Sequence, residues 1–195
     1  MTGLALAFAL LALTLLIATL IGLRLPKTHC AASRIRLNAS PDQVWQLVAD
    51  RTTHTQWRPG IKEIELIEID GQPGWIEICH RNVRVRFVEI LRIRPSRLVT
   101  RLADEGAPFT GQWTFELEGG DGASMLTITE SAIIYHPLIR FFSRFVISYH
   151  GAMDVFLIAL ARHLGDTAEP EHLSVLRDPG LGGTQPQPAT PSQRA

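Results

Sequence analysis

Cysteine is nearly absent: Cys30 and Cys79 are the only two in 195 residues. One lies beside an apolar N-terminal stretch and the other inside a strand pattern, so they form neither a disulfide framework nor a zinc pattern. Charge imbalance is absent too. Nineteen Lys and Arg balance nineteen Asp and Glu, for a formal net charge of zero. Nucleic acid is therefore not expected as a partner, since a basic excess is its usual footprint. The chain has no Ser nucleophile motif, no Gly-rich phosphate loop after a strand and no His pair at helical spacing. No metal and no cofactor are expected. No internal repeat is present.

What the chain does have begins at its N-terminus. Residues 2–23, TGLALAFALLALTLLIATLIGL, carry no charge, and about 20 apolar residues suffice to cross a bilayer core. A cleaved signal peptide would want a basic start, a shorter apolar core and a small-residue cleavage site, and Cys30-Ala31-Ala32 is a poor one. The reading is an uncleaved single-pass anchor, residues 1–25. Arg24, Lys27, Arg34 and Arg36 follow it. By the positive-inside rule they keep the following domain on the cytoplasmic side, where both thiols stay reduced. A linker, 26–32, leads to a domain at 33–166. The Pro/Gly-rich tail, 167–195, is expected to be disordered, with Leu173 and Val175 as its only apolar contacts.

Within the domain, residues 33–37 alternate as a strand. Ser40-Pro41-Asp42 is a helix start with Ser40 as N-cap, and Val44, Trp45, Leu47 and Val48 form the apolar face of that helix. Residues 50–56 are polar, a short helix or loop. Strands are predicted at 61–69, 75–79, 83–93, 98–102, 112–118 and 124–134. In the third of these, Val83, Val85, Phe87, Leu91 and Ile93 share one face, and Arg84, Arg86 and Arg92 the other. Cross-strand pairing of Arg84, Arg86, Arg92 and Arg94 with Glu63, Glu65, Glu68 or Glu77 is preferred to membrane attraction for that basic face. The spacing of Leu138, Phe141, Phe145, Tyr149, Met153, Phe156 and Leu160 predicts one long helix over 137–164, with Gly151 as a point of bending.

The order is strand, two short helices, six strands, long helix. Together with ASPDQVWQLVAD, QWRPGIKEIE, RPSRLVTRL, PFTGQWTFELE and TITE, it resembles the START-like (SRPBCC) superfamily, and within it the polyketide cyclase/dehydrase and lipid-transport group. The resemblance covers residues 33–164. It implies an α+β helix-grip fold, a curved antiparallel sheet around the C-terminal helix, with a cavity between them for a hydrophobic small molecule or lipid. The N-terminal anchor departs from the soluble members.

The candidate lining residues are Trp57, Trp75, Phe87, Arg101, Trp113, Phe115, Tyr149, Met153 and Phe156, while Trp45 is assigned to packing. Glu89 and Glu130 fall on inward strand parity. The preferred reading is that a bulge or strand end turns each to solvent; the alternative is a polar handle for a cavity, with Arg101 or Tyr149 as partner. His150 lies four residues from Asp154 on the last helix, within reach of a local hydrogen bond. Glu89, Glu130 and His150 are the only acid–base candidates, so catalysis is not the first expectation. The first reading is membrane-anchored binding, or transport, of a hydrophobic small molecule or lipid. The second is a polyketide cyclase or dehydratase. The third is a non-enzymatic module that the membrane helix localises beside a protein partner, whose nature the sequence does not give.

Overall fold

The computed structural model describes residues 2–104, 106–120 and 122–174. The chain opens with helix α1, Thr2–Arg24. Its mean hydropathy makes it long and apolar enough to cross a membrane. Leu4, Phe8, Leu11, Leu16, Leu20 and Leu23 are all exposed.

Strand β1, Thr28–Leu37, follows, then α2, Pro41–Ala49, whose start is as the sequence implies. The Ser40 hydroxyl accepts the Gln43 N–H at 3.4 Å, and the Gln43 side chain accepts the Ser40 N–H at 3.0 Å. This reciprocal box satisfies two of the helix's orphan donors. A 3-10 turn at Arg51–Thr53 leads to α3, His54–Trp57. Six antiparallel strands come next: β2, Ile61–Ile69; β3, Gln72–Cys79; β4, Arg84–Ile93; β5, Arg97–Leu102; β6, Phe109–Gly120; and β7, Ala123–Ile134. The sheet order is β2-β3-β4-β5-β6-β7-β1-β8.

Strand β8, Glu171–Leu173, corrects the expectation of disorder for that part of the tail. It pairs with Ala32 to Arg34 of β1, and Arg34 Nε donates to Glu171 at 2.9 Å. The remaining tail, including Val175, lies outside the described residues.

The single long helix is also corrected. Helix α4, Pro137–Phe142, runs into a π turn, Ser143–Ile147, and breaks at Ser148, where φ is 70°. Helix α5, Gly151–His163, then sets off at 48° to it. Helix α4 packs mainly against α1, whereas α5 packs on the sheet at β1. Its buried residues Met153, Leu157, Leu160 and Ala161 recur at helical spacing.

Because neighbouring strands alternate in direction, one end of the sheet gathers the start of β1, β4 and β6 and the end of β3, β5 and β7. At the opposite end the interior is filled. Ile35, Leu37, Leu98, Leu126 and Ile128 of the sheet meet Val44 and Val48 of α2 and Leu157 and Leu160 of α5, all at most 2% exposed. The end from which β1 leaves α1 is packed differently, for reasons of side-chain size.

Candidate functional site: a cavity between sheet and helix

On the inner face near that end the sequence places small residues. Gly111 pairs with Ala132, and Thr100 lies beside Trp113. Ala152 stands opposite, on α5. Where large side chains would fill the space, these leave it open. A cavity of about 480 Å³ results, within the roughly 300–1,000 Å³ range of small-molecule sites. Trp75, Phe87, Trp113, Phe115 and Phe156 surround it. Trp75 and Phe87 stack at 5.3 Å between centroids, and Phe115 and Phe156 lie 5.5 Å apart. Phe109 and Val155 form the rim, 44% and 53% exposed.

Five of the nine expected lining residues are thus brought together. Trp57 is buried in the core, edge-on to Phe156 at 5.1 Å. Met153 is wholly buried in the core, one position round the helix from Ala152. Tyr149 stacks on His29 at 4.1 Å, and burial raises its pKa. Arg101 is exposed and does not line the cavity.

Glu130 does reach the cavity. Its carboxylate accepts the Trp113 indole N–H at 2.8 Å and is 3.2 Å from His29 Nε2. The partners are therefore Trp113 and His29; Tyr149 is linked only through His29, and Arg101 takes no part.

Glu89 does not reach it. A bulge inserts Ile90, so Glu89 pairs with Thr100 but Leu91 with Val99 and Arg92 with Leu98. The extra residue reverses the parity beyond it. Arg92 is carried to the inner face, where Nε donates to Glu89 at 2.7 Å, and Leu91 and Ile93 are exposed. Of the expected cross-strand pairs only Arg84 to Glu65 forms, at 3.1 Å, while Arg94 meets Asp42 at 3.4 Å.

His150 lies away from the cavity. Ser33 Oγ donates to Asp154 at 3.0 Å and sits 3.1 Å from His150 Nδ1, while His172 of β8 stacks on His150 at 3.9 Å. Burial, then the neighbouring His172, lowers the His150 pKa. Ser33 is fully buried, and Asp154 accepts the hydroxyl's hydrogen bond rather than orienting the His150 imidazole. The group is a structural clasp, without the roles of a nucleophilic triad.

The polar inner end of the cavity was not singled out from the sequence. It comes from Arg51 and His54, in a stretch, 50–56, that reads only as polar, and from Arg58, in the turn after it. Both terminal nitrogens of the Arg58 guanidinium donate to the Glu77 carboxylate, Nη2 at 3.2 Å, and the Trp75 indole N–H also donates to Glu77, at 3.2 Å. Arg51 lies 4.3 Å over the Trp75 ring and donates through Nη1 to Val48 O at 2.7 Å. Its Nε and Nη2 are buried without a hydrogen-bond partner. Burial, then the nearby Arg58 charge, lowers its pKa to about 9, which still leaves it cationic at neutral pH. His54 is wholly buried, with Nε2 3.1 Å from Leu47 O. Burial, then Arg51 and Arg58, lowers its pKa to about 2, so it is neutral. Arg51 and Trp75 also form the wall towards a second groove of about 640 Å³ between α2 and β3, lined by the Glu89–Arg92 pair. That groove lies outside the helix–sheet interior and is the more polar of the two.

Among the described residues no cluster of His, Cys, Asp and Glu could hold a metal ion.

An antiparallel sheet gripping a C-terminal helix, with a ligand-sized aromatic cavity between them, defines a START-like helix-grip protein. The chain belongs to the polyketide cyclase / dehydrase and lipid transport family, whose profile matches residues 28–165. Three solved structures share the fold. XoxI from Bacillus cereus has a TM-score of 0.56 at 15% identity, covering 70% of this chain and 96% of that one. A START superfamily protein from Mycobacterium smegmatis has a TM-score of 0.54 at 16% identity, covering 70% and 97%. Norcoclaurine synthase from Thalictrum flavum has a TM-score of 0.55 at 12% identity, covering 70% and 86%. No curated protein sequence matches the chain.

Proposed function

We propose that the protein is a membrane-anchored binder of a hydrophobic small molecule or lipid, held between the sheet and α5. The observation that carries this reading is the 480 Å³ cavity, walled by aromatic side chains and bearing two carboxylates, Glu130 and the Arg58-paired Glu77. The family includes lipid transport in its description, which agrees. The unpartnered donors of Arg51 support a ligand with an acceptor at one end, since a buried guanidinium nitrogen left without a partner carries a desolvation cost. The anchor is α1, with the domain on the cytoplasmic side as the basic residues after it suggest.

The test pairs native mass spectrometry and lipid extraction of the detergent-purified chain with a lipophilic-probe displacement titration. A co-purifying hydrophobic molecule and saturable probe binding are expected. A ligand-free protein that never saturates would reject the reading. The enzyme reading rests on one feature, the Glu130 carboxylate beside His29 and facing the cavity. It requires Glu130→Gln to abolish turnover of a polyketide-type substrate without changing probe affinity.

A further inference from the structure

The segment between the sheet and α5 is built unlike the rest of the domain. Along α4 and the π turn the buried side chain is Arg140, not an apolar one. Its Nη1 donates to Leu25 O, at the end of α1, at 2.8 Å. The apolar groups point out: Phe145 is 59% exposed, Val146 66% and Ile147 64%. In water such a run would be a costly apolar patch. From Tyr135 to Met153 no acidic residue occurs, while Arg140 and Arg144 do.

This segment is joined to α1. The buried positions of α1 are Ala18 and Gly22, four apart on one face. A Cβ at Gly22 would overlap the Pro137 carbonyl oxygen, so only glycine allows α4 so close. Small residues at that spacing let helix backbones approach. Gly22 is two residues from Arg24, where the apolar run ends, so α4 meets α1 at the level where a spanning helix leaves the hydrocarbon. The same end of the sheet carries the cavity rim, Phe109, Ala152 and Val155, with Tyr135 beside it, 53% exposed.

We propose that residues 137–149 lie embedded in the interface of the bilayer that holds α1, and that the cavity rim opens onto this lipid layer, so that the ligand passes between acyl chains and cavity without crossing water. The occupant of the exposed apolar face is lipid. It is continuous with the exposed face of α1, and its acid-free flank, with Arg144 exposed on it and Arg24 and Lys27 exposed at the end of α1, suits anionic headgroups. The exchange route rests on the binding reading above; the embedding does not.

The experiment uses the full chain in phosphatidylcholine/phosphatidylglycerol vesicles, with Cys30→Ser and Cys79→Ser. An NBD label is placed at Val146→Cys or, as a control at the far end of β6, at Glu118→Cys. The label at 146 should emit as in an apolar medium and be quenched by acyl-chain doxyl lipid, and the label at 118 should do neither. Water-like emission at 146 overturns the embedding. So does apolar emission without doxyl quenching but with energy transfer between labelled copies, which would mean a protein–protein face. The exchange route is read with Val146→Asp/Ile147→Asp. Transfer of a fluorescent fatty-acid probe from vesicles should slow by roughly tenfold or more, because a carboxylate at the acyl boundary carries a penalty that water does not impose. Probe affinity in detergent micelles should not change. Unchanged transfer overturns the route. Absence of saturable probe binding in the parent rejects the binding reading and the route together, and quenching at 146 still decides the embedding.

Discussion

Two adjacent side chains, Ala152 and Met153, separate cavity from core. Ala152 lines the open space and is exposed, whereas Met153 is wholly buried. Ala152→Trp should occupy the cavity and abolish saturable probe binding while the melting temperature stays within about 2 °C, a difference of at most about 1 kcal/mol. Met153→Trp should overpack the core and cost about 1–3 kcal/mol in stability. A melting curve beside the titration checks both. His54 makes a pH prediction. Its folded pKa is depressed to about 2, so the unfolded chain binds its proton first as the pH falls. The folded state is therefore favoured fully above about pH 6.5 and loses up to about 1.4 kcal/mol per pH unit below it. His54→Gln keeps a hydrogen-bonding side chain and should remove that one-proton slope from denaturant midpoints measured between pH 6.5 and 4.5. An unchanged slope would show that the acid sensitivity lies elsewhere. Neither His54 nor Arg51 was legible in the sequence. Residues 50–58 have no apolar period, and what buries them is Trp75 and Phe156, brought over from distant elements.

The elements themselves were largely legible, because strand parity and the capping box are local properties. Trp113, Phe115 and Leu117 do share the inner face, and α2 starts where Ser40 and Pro41 place it. Two failures have local causes that composition conceals. The Ile90 bulge adds one residue to a strand of unbroken β-formers, so the alternation reads straight through it. The break between α4 and α5 falls at Ser148, with apolar spacing continuing on both sides. One apolar spacing thus covers two settings: Phe145 is exposed before the break, and Met153 and Phe156 are buried after it. The α1–α4 junction yields a further prediction. Gly22→Ala should pry α4 from α1 and speed tryptic cleavage after Arg140 and Arg144 severalfold in micelles. Gly3→Ala, where an added Cβ meets nothing within 4 Å, should not. Equal cleavage in the two variants would mean that the junction tolerates the methyl.

For the whole molecule, the organisation follows from strand direction. At one end of the sheet aliphatic side chains fill the interior, and at the other Gly111, Ala132 and Thr100 leave space among aromatic walls, so one half is solid and the other hollow. The sequence held those residue sizes, but the register that aligns Gly111 with Ala132 and Thr100 with Trp113 is a property of the assembled sheet. The tail shows the same dependence. Glu171–Leu173 has no strand signal of its own and is ordered by the edge of β1 and by His172, which lies 2.9 Å from Asp154. Removing residues 169–195 should therefore lower the melting temperature by roughly 2–6 °C, the equivalent of one to two kcal/mol in a chain of this size. No change would show that β8 adds nothing to stability.

The place of β8 at the end of the sheet order also bears on how copies of the protein can associate. A sheet grows into a fibril only if it offers two open flanks, one to accept a strand and one to be accepted. Here one flank is β2, bordered by Lys62, Glu63, Glu65 and Glu68. The other is covered at Ala32 to Arg34, the middle of β1, by the protein's own three-residue strand. Association through backbone pairing would then favour two copies joined through β2, since the middle of β1 is already occupied. Loss of the tail would uncover β1 and convert that pairing into one that can propagate.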